Sequence, residues 1–134
     1  MSALDVIVAD DDPDAREALH AVLARMGANV HVAASGWELL SLLANHEHVD
    51  LVIADVCMPM PSGIDALAMA RTAGISAAFV LISGACTAEV KAAARKLNAS
   101  TLAKPFTACE LRREIEQLVE VGWLSRVDET AVRR

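Results

Sequence analysis

Residues 9–14 read A-D-D-D-P-D and follow the apolar run Val6-Ile7-Val8, so four carboxylates fall within five positions. Two like charges about 4 Å apart repel by roughly 1 kcal/mol in water and about 4 kcal/mol at an effective dielectric near 20. Such a cluster either splays into solvent or holds a cation. Three more polar groups close apolar runs in the same way: Asp55 after Leu51-Val52-Ile53-Ala54, Ser83 after Phe79-Val80-Leu81-Ile82, and Lys104 after Thr101-Leu102-Ala103. Carboxylates suit Mg²⁺, which prefers oxygen ligands and keeps waters when only one or two acids bind it. A carboxylate beside such a metal can act as a nucleophile. A hydroxyl and an ammonium on the same rim would then neutralise the oxygens of a transferred phosphoryl group.

These groups share a rim only if the apolar runs are parallel strands, because ligands of an open parallel sheet bind beyond the carboxyl ends. The pattern predicts strands at Val6–Ala9, Val30–Ala33, Leu51–Ala54, Phe79–Ile82 and Thr101–Ala103. The third and fourth lack polar alternation, as strands covered on both faces do. Helices are predicted between them. Asp12 caps one with Pro13 in its first turn, and Ala15, Ala18, Leu19, Val22, Leu23 and Met26 form its stripe before Gly27. Ser35 with Glu38 and Thr107 with Glu110 have capping-box spacing. Another helix follows Gly63, one runs from Thr87 to about Leu97, and Leu111, Ile115, Leu118 and Val119 line the last before Gly122. Strand and helix alternating five times specify an α/β fold with helices on both faces of the sheet.

The 134-residue length suits one domain, and 54% hydrophobic with 22% charged residues excludes a disordered chain. A net charge of −6 argues against direct nucleic-acid binding. No apolar run reaches membrane-spanning length, Asp5 comes too early for a signal peptide, and three widely spaced cysteines make neither a disulfide framework nor a zinc site. A cytoplasmic protein is expected.

The stretches V-I-V-A-D-D-D-P, D-V-C-M-P-M-P-S-G, L-I-S-G and A-K-P-F stand in an order and spacing that resembles the receiver domain of two-component response regulators. The resemblance covers about residues 4–121. It implies a flavodoxin-like doubly wound sheet with strand order 2-1-3-4-5, a receiver domain over residues 1–121, and a short tail or linker start at 122–134. It further implies that Asp55 accepts a phosphoryl group from a histidine kinase or phosphotransfer protein. Asp11 would bind Mg²⁺ directly, Asp10 directly or through water, and the backbone carbonyl of Cys57 would be a third protein ligand. Ser83 matches the family's switch hydroxyl, Lys104 its phosphoryl-binding lysine, and the Lys104–Pro105 peptide is expected to be cis. The output is a change in partner affinity or dimerisation, with the chain catalysing only its own phosphorylation and dephosphorylation. One departure stands out: the family's usual aromatic three residues before the lysine is Thr101 here.

Simpler roles go to other residues. Asp12 is expected to be only a cap and Asp14 a first-turn acid; Cys57, Cys86 and Cys109 are packing residues. His20, His31, His46 and His48 are solvated or locally bonded, and the His46–His48 pair has no third ligand nearby in sequence. Trp37 fits either a packed or an exposed position. A rival reading is a haloacid-dehalogenase-type phosphohydrolase, which Asp10-x-Asp12 superficially fits, although that family's nucleophile follows strand 1 and a late acidic pair is missing here. A flavin-binding module fails because four carboxylates would repel its phosphate.

Overall fold

In a computed structural model, which describes residues 3–122 and 124, the elements alternate strictly. They are β1 Asp5–Ala9, α1 Pro13–Arg25, β2 Asn29–Ala33, α2 Gly36–Asn45, β3 Leu51–Asp55, α3 Gly63–Thr72, β4 Ala78–Ser83, α4 Ala88–Lys96, β5 Ala99–Ala103 and α5 Ala108–Glu120. All strand pairs are parallel and the order is β2-β1-β3-β4-β5. The predicted tail, Trp123 included, lies outside the described residues except for Gly122 and Leu124.

Every residue of β3 and β4 is buried, which is why their sequences show no alternation. Side chains alternate between two cores. Val6, Val8, Ile53, Val80 and Ile82 meet Leu19 and Leu23 of α1 and Leu111, Ile115 and Leu118 of α5. Ile7, Val52, Phe79 and Leu81 meet Leu39 and Leu43 of α2, Ala66 and Leu67 of α3 and Ala94 of α4. Buried apolar area contributes roughly 25 cal/mol per Å², so both layers clamp the two central strands that carry Asp55 and Ser83.

Local chemistry sets the helix ends. Side-chain oxygens of Asp12, Ser35, Ser62, Thr87 and Thr107 accept backbone N–H groups at the five helix starts. Thr107 and Glu110 form the predicted reciprocal box. The Ser35 box differs: Glu38 accepts from the Ala34 N–H at 2.6 Å rather than from the cap residue. Gly27 and Gly122 leave α1 and α5 at φ 86° and 81°, a region open to glycine at little cost. Ala18 of the predicted α1 stripe is exposed, because α5 leaves an open groove there. Among the described residues no helix is long and apolar enough to cross a membrane.

Candidate functional site

The carboxyl ends of β1, β3, β4 and β5 bring the predicted groups together. Asp10, Asp55 and Ser83 are the buried polar residues of the described chain, while Asp11 is exposed. One device recurs at three strand ends: the side chain accepts the N–H two residues ahead. Asp12 N–H donates to Asp10 Oδ1 at 2.9 Å, Cys57 N–H to Asp55 Oδ1 at 2.9 Å, and Ala85 N–H to Ser83 Oγ at 3.1 Å. These turns, formed readily by Asp and Ser, fix each side chain to the loop that leaves its strand.

Lys104 reaches this rim from β5. Its Nζ lies 2.6 Å from Asp55 Oδ2 and 3.5 Å from Asp10 Oδ2. The Lys104 N–H also donates to the Ser83 carbonyl at 2.9 Å, so β4 and β5 remain paired up to the site. The Lys104–Pro105 peptide is cis, as is Met60–Pro61.

Burial raises the Asp10 carboxyl above its ordinary pKa; the Asp12 N–H and Lys104 oppose this, and Asp55 adds to it. For Lys104, burial works against the charge, but the hydrogen bond and charge of Asp55, joined by Asp10, outweigh it and lift the ammonium above its usual range. The site is thus an anionic bowl in which the Lys104 ammonium bridges the Asp10 and Asp55 carboxylates. Oxygens of Asp10, Asp11 and Asp55 lie within 4.8 Å of one another, which suits a hard divalent ion as the chemistry of the set requires. Asp12 turns away to cap α1, accepting the Asp14 N–H at 3.1 Å. The Cys57 residue is exposed, on the loop after β3.

Two supports were not legible in the sequence. Arg16 of α1 donates from a guanidinium nitrogen to the Asp10 carbonyl at 2.9 Å, so the Asp10 peptide is held between α1 and, through its N–H, Ala33 of β2. Gly63 opens α3 directly against the Asp55 carbonyl, where a Cβ would collide with backbone. An arginine six residues after an acid carries no spacing signal, whereas a glycine after Pro-Ser could have suggested close approach.

Thr101 is half-buried on β5 and lines a groove with Lys91 and Arg95 of α4 and Glu114 and Gln117 of α5. Trp37 is 59% exposed, which settles its open position. The histidines differ from expectation at one point. His46 turns back to the Leu42 carbonyl and lies tilted against His31, with ring centroids 4.4 Å apart and planes at 53°. His48, however, does gain neighbours: Asp5 and Asp50, which the parallel pairing of β1 and β3 brings from 43 residues away and from two.

The profile of the response regulator receiver domain matches residues 6–116. An uncharacterized 14.6 kDa protein of Leptolyngbya boryana is 34% identical over 120 residues, 87% of this chain and 91% of that protein. The response regulator MprA of Mycobacterium sp. (strain KMS) is 30% identical over 115 residues, 85% of this chain but only 50% of MprA. In fold, the chain resembles the CheX–CheY–BeF3–Mg²⁺ complex of Borrelia burgdorferi with a TM-score of 0.82 at 22% identity, covering 87% of this chain and 89% of that one.

Proposed function

Because the chain belongs to the response regulator receiver domain family, whose members are phosphoacceptor switches, we propose that Asp55 is its phosphoacceptor. The observation that carries this reading is the setting of Asp55: a buried carboxylate with one oxygen on the Cys57 N–H, the other on the Lys104 ammonium, and Asp10 and Asp11 within metal-sharing distance. An Asp55 oxygen attacks the phosphorus of a phosphohistidine on a kinase or phosphotransfer protein. The P–O bond forms as the P–N bond breaks with its electron pair going to the ring nitrogen, and the ring, already protonated on its other nitrogen, leaves as neutral imidazole. Lys104 then shifts from the carboxylate to the phosphoryl oxygens. The Ser83 hydroxyl, whose oxygen already accepts the Ala85 N–H, has its hydrogen free to donate to them.

Receiver domains bind Mg²⁺ at this acidic pocket. Here Asp11, Asp10 (directly or through water), Asp55 and the Cys57 backbone carbonyl would hold it. Bound there, the ion supplies charge neutralisation for the transferring phosphoryl group. The reaction stops at self-phosphorylation and self-dephosphorylation. A phosphohydrolase reading finds no support: the Asp12 that its opening motif would use is occupied in capping α1.

Phosphorylation adds about −1.5 to −2 charges to the rim. The readout lies on the α4–β5–α5 face, available to a downstream partner or a second copy. With Thr101 in place of a ring, the differential contact that couples rim to face is small. Residues 1–121 form the receiver unit of a cytoplasmic protein, with 122–134 a tail or linker start. The test is intact mass after incubation with a small-molecule phosphodonor and Mg²⁺. One phosphoryl group should appear, and none in Asp55→Asn; unchanged labelling of that variant would reject the assignment.

A further inference from the structure

At the amino ends of the strands, opposite the phosphoacceptor rim, a second group of metal-ligating side chains converges. Asp5 opens β1, and Asp50 stands beside it just before β3, since Val6 pairs with Leu51. The two acids are tied by their backbones: the Asp50 N–H donates to the Asp5 carbonyl at 2.9 Å, and the Asp5 N–H to Asp50 Oδ2 at 2.8 Å. Lateral neighbours of like charge destabilise a sheet. What offsets them is modest: Asn29 on β2 donates to Asp5 Oδ1 at 3.4 Å, and His48 Nε2 lies 2.7 Å from Asp50 Oδ1. The Asp50 side chain is only 8% exposed, yet among the described residues neither carboxylate has an ion pair with a lysine or arginine. Arg71 comes to the same end but spends its guanidinium on the carbonyls of Leu97, Ile75 and Ala77.

Two independent features make this pole attractive to a cation. The helix α2 ends beside it, at Asn45 and the cap residue His46, and the terminal carbonyls of a helix carry partial negative charge. A cavity of about 350 Å³ opens against His48 and Asp50, with Glu47 and His46 on its wall and no lysine or arginine lining it.

We propose that Asp5, His48 and Asp50 form a second metal site, selective for a borderline transition ion such as Zn²⁺ rather than for Mg²⁺. One imidazole nitrogen and two carboxylate oxygens, with water completing the set, are a zinc-type donor set; hard Mg²⁺ gains little from an imidazole. The three ligand atoms already lie within 4.8 Å of one another. Tetrahedral bonds of about 2.0–2.1 Å put donors roughly 3.3 Å apart, so His48 must back away slightly from Asp50, and its ring, 57% exposed, has room to do so. With its proton on Nδ1, the neutral ring presents the Nε2 lone pair to the metal. Asp50 Oδ2 and Asp5 Oδ1 keep their hydrogen bonds to the Asp5 N–H and Asn29, which orient the ligands from behind.

The test is calorimetric titration of the full chain with Zn²⁺ while saturating Mg²⁺ fills the phosphoacceptor rim. One Zn²⁺ per chain is expected, with affinity reduced at least tenfold in His48→Ala and in Asp5→Asn but retained in Asp11→Asn. His48→Ala alters a mainly exposed side chain, so its fold is checked by circular dichroism and a loss there is a loss of ligand. Co²⁺ should bind the wild type without a thiolate charge-transfer band. Absence of Zn²⁺ binding, binding undiminished in His48→Ala, or a thiolate band would each overturn the proposal.

Discussion

The two ends of the sheet carry similar acids and opposite surroundings. At the carboxyl end all five helices begin, each with a side-chain cap, and the carboxylates of Asp10 and Asp55 accept backbone N–H groups. At the amino end the helices finish, so their free carbonyls gather there. A parallel sheet with crossover helices therefore has a pole suited to anions and a pole suited to cations. The phosphoryl chemistry proposed for Asp55 would sit at the first. The acids there would still repel a phosphoryl group, so the proposed reaction calls for a bound metal ion beside the Lys104 ammonium that already stands among them. At the second pole no lysine or arginine is paired with the acids among the described residues, and His48 is the basic side chain within ion-pair distance of Asp50.

Removing the Lys104 ammonium from the anion pole should have the largest effect. Lys104→Ala leaves Asp10 and Asp55 facing each other without an ammonium and the phosphoryl oxygens without a donor. The phosphorylation rate from a small-molecule donor is expected to fall by about 10²-fold, the scale of losing one preorganised electrostatic contact. A rate within twofold of wild type would place the neutralising charge elsewhere.

The next prediction separates acids within the cluster. Asp11→Ala should weaken Mg²⁺ binding at least tenfold, measured by calorimetry, with little change in stability. Asp12→Ala should do the reverse, costing about 1 kcal/mol in denaturant unfolding through the lost helix cap while metal affinity holds. Equal losses of affinity in both would show that the cap and the ligand have been confused.

The smallest effect concerns Asp10. Its raised pKa means that the folded state penalises the charged form, so ionisation at neutral pH works against stability. Below the ordinary carboxylate pKa this penalty vanishes; it grows as pH rises from the ordinary value to the raised one and is constant above that. Asp10→Asn, which can still accept the Asp12 N–H, should stabilise the metal-free chain at pH 7 and weaken Mg²⁺ binding. The gain should disappear in unfolding experiments at low pH.

Much of the anion pole was legible in the sequence because each of its groups closes an apolar run, and runs such as Leu51–Ala54 admit only a buried strand. The resemblance carried by four short stretches implied the sheet order that the structure has, and the strand ends bring Asp10, Asp55, Ser83 and Lys104 to one rim. What escaped has physical reasons. Strand β5 begins at Ala99 and Ser100, two small residues on a sheet edge that carry no hydrophobic signal. The Ser35 box misled by one residue because Glu38 reaches past the cap to Ala34. The meeting of Asp5 with His48 and Asp50 was invisible, since lateral pairing across a parallel crossover joins residues with no local periodicity. Arg16 acts on a backbone carbonyl, and carbonyls are the same at every position.

The central claim is that the carboxyl rim is a Mg²⁺-dependent phosphoryl site built on Asp55. Its most direct test is a crystal structure of the chain with Mg²⁺ and beryllofluoride. The account predicts the beryllium bonded to an Asp55 oxygen, with Lys104 and Ser83 on the fluorides. It places Mg²⁺ on Asp11, Asp55 and the Cys57 carbonyl, with Asp10 bound directly or through water. A beryllofluoride bound to another carboxylate, or a magnesium ion seated away from Asp11 and Asp55, would contradict it.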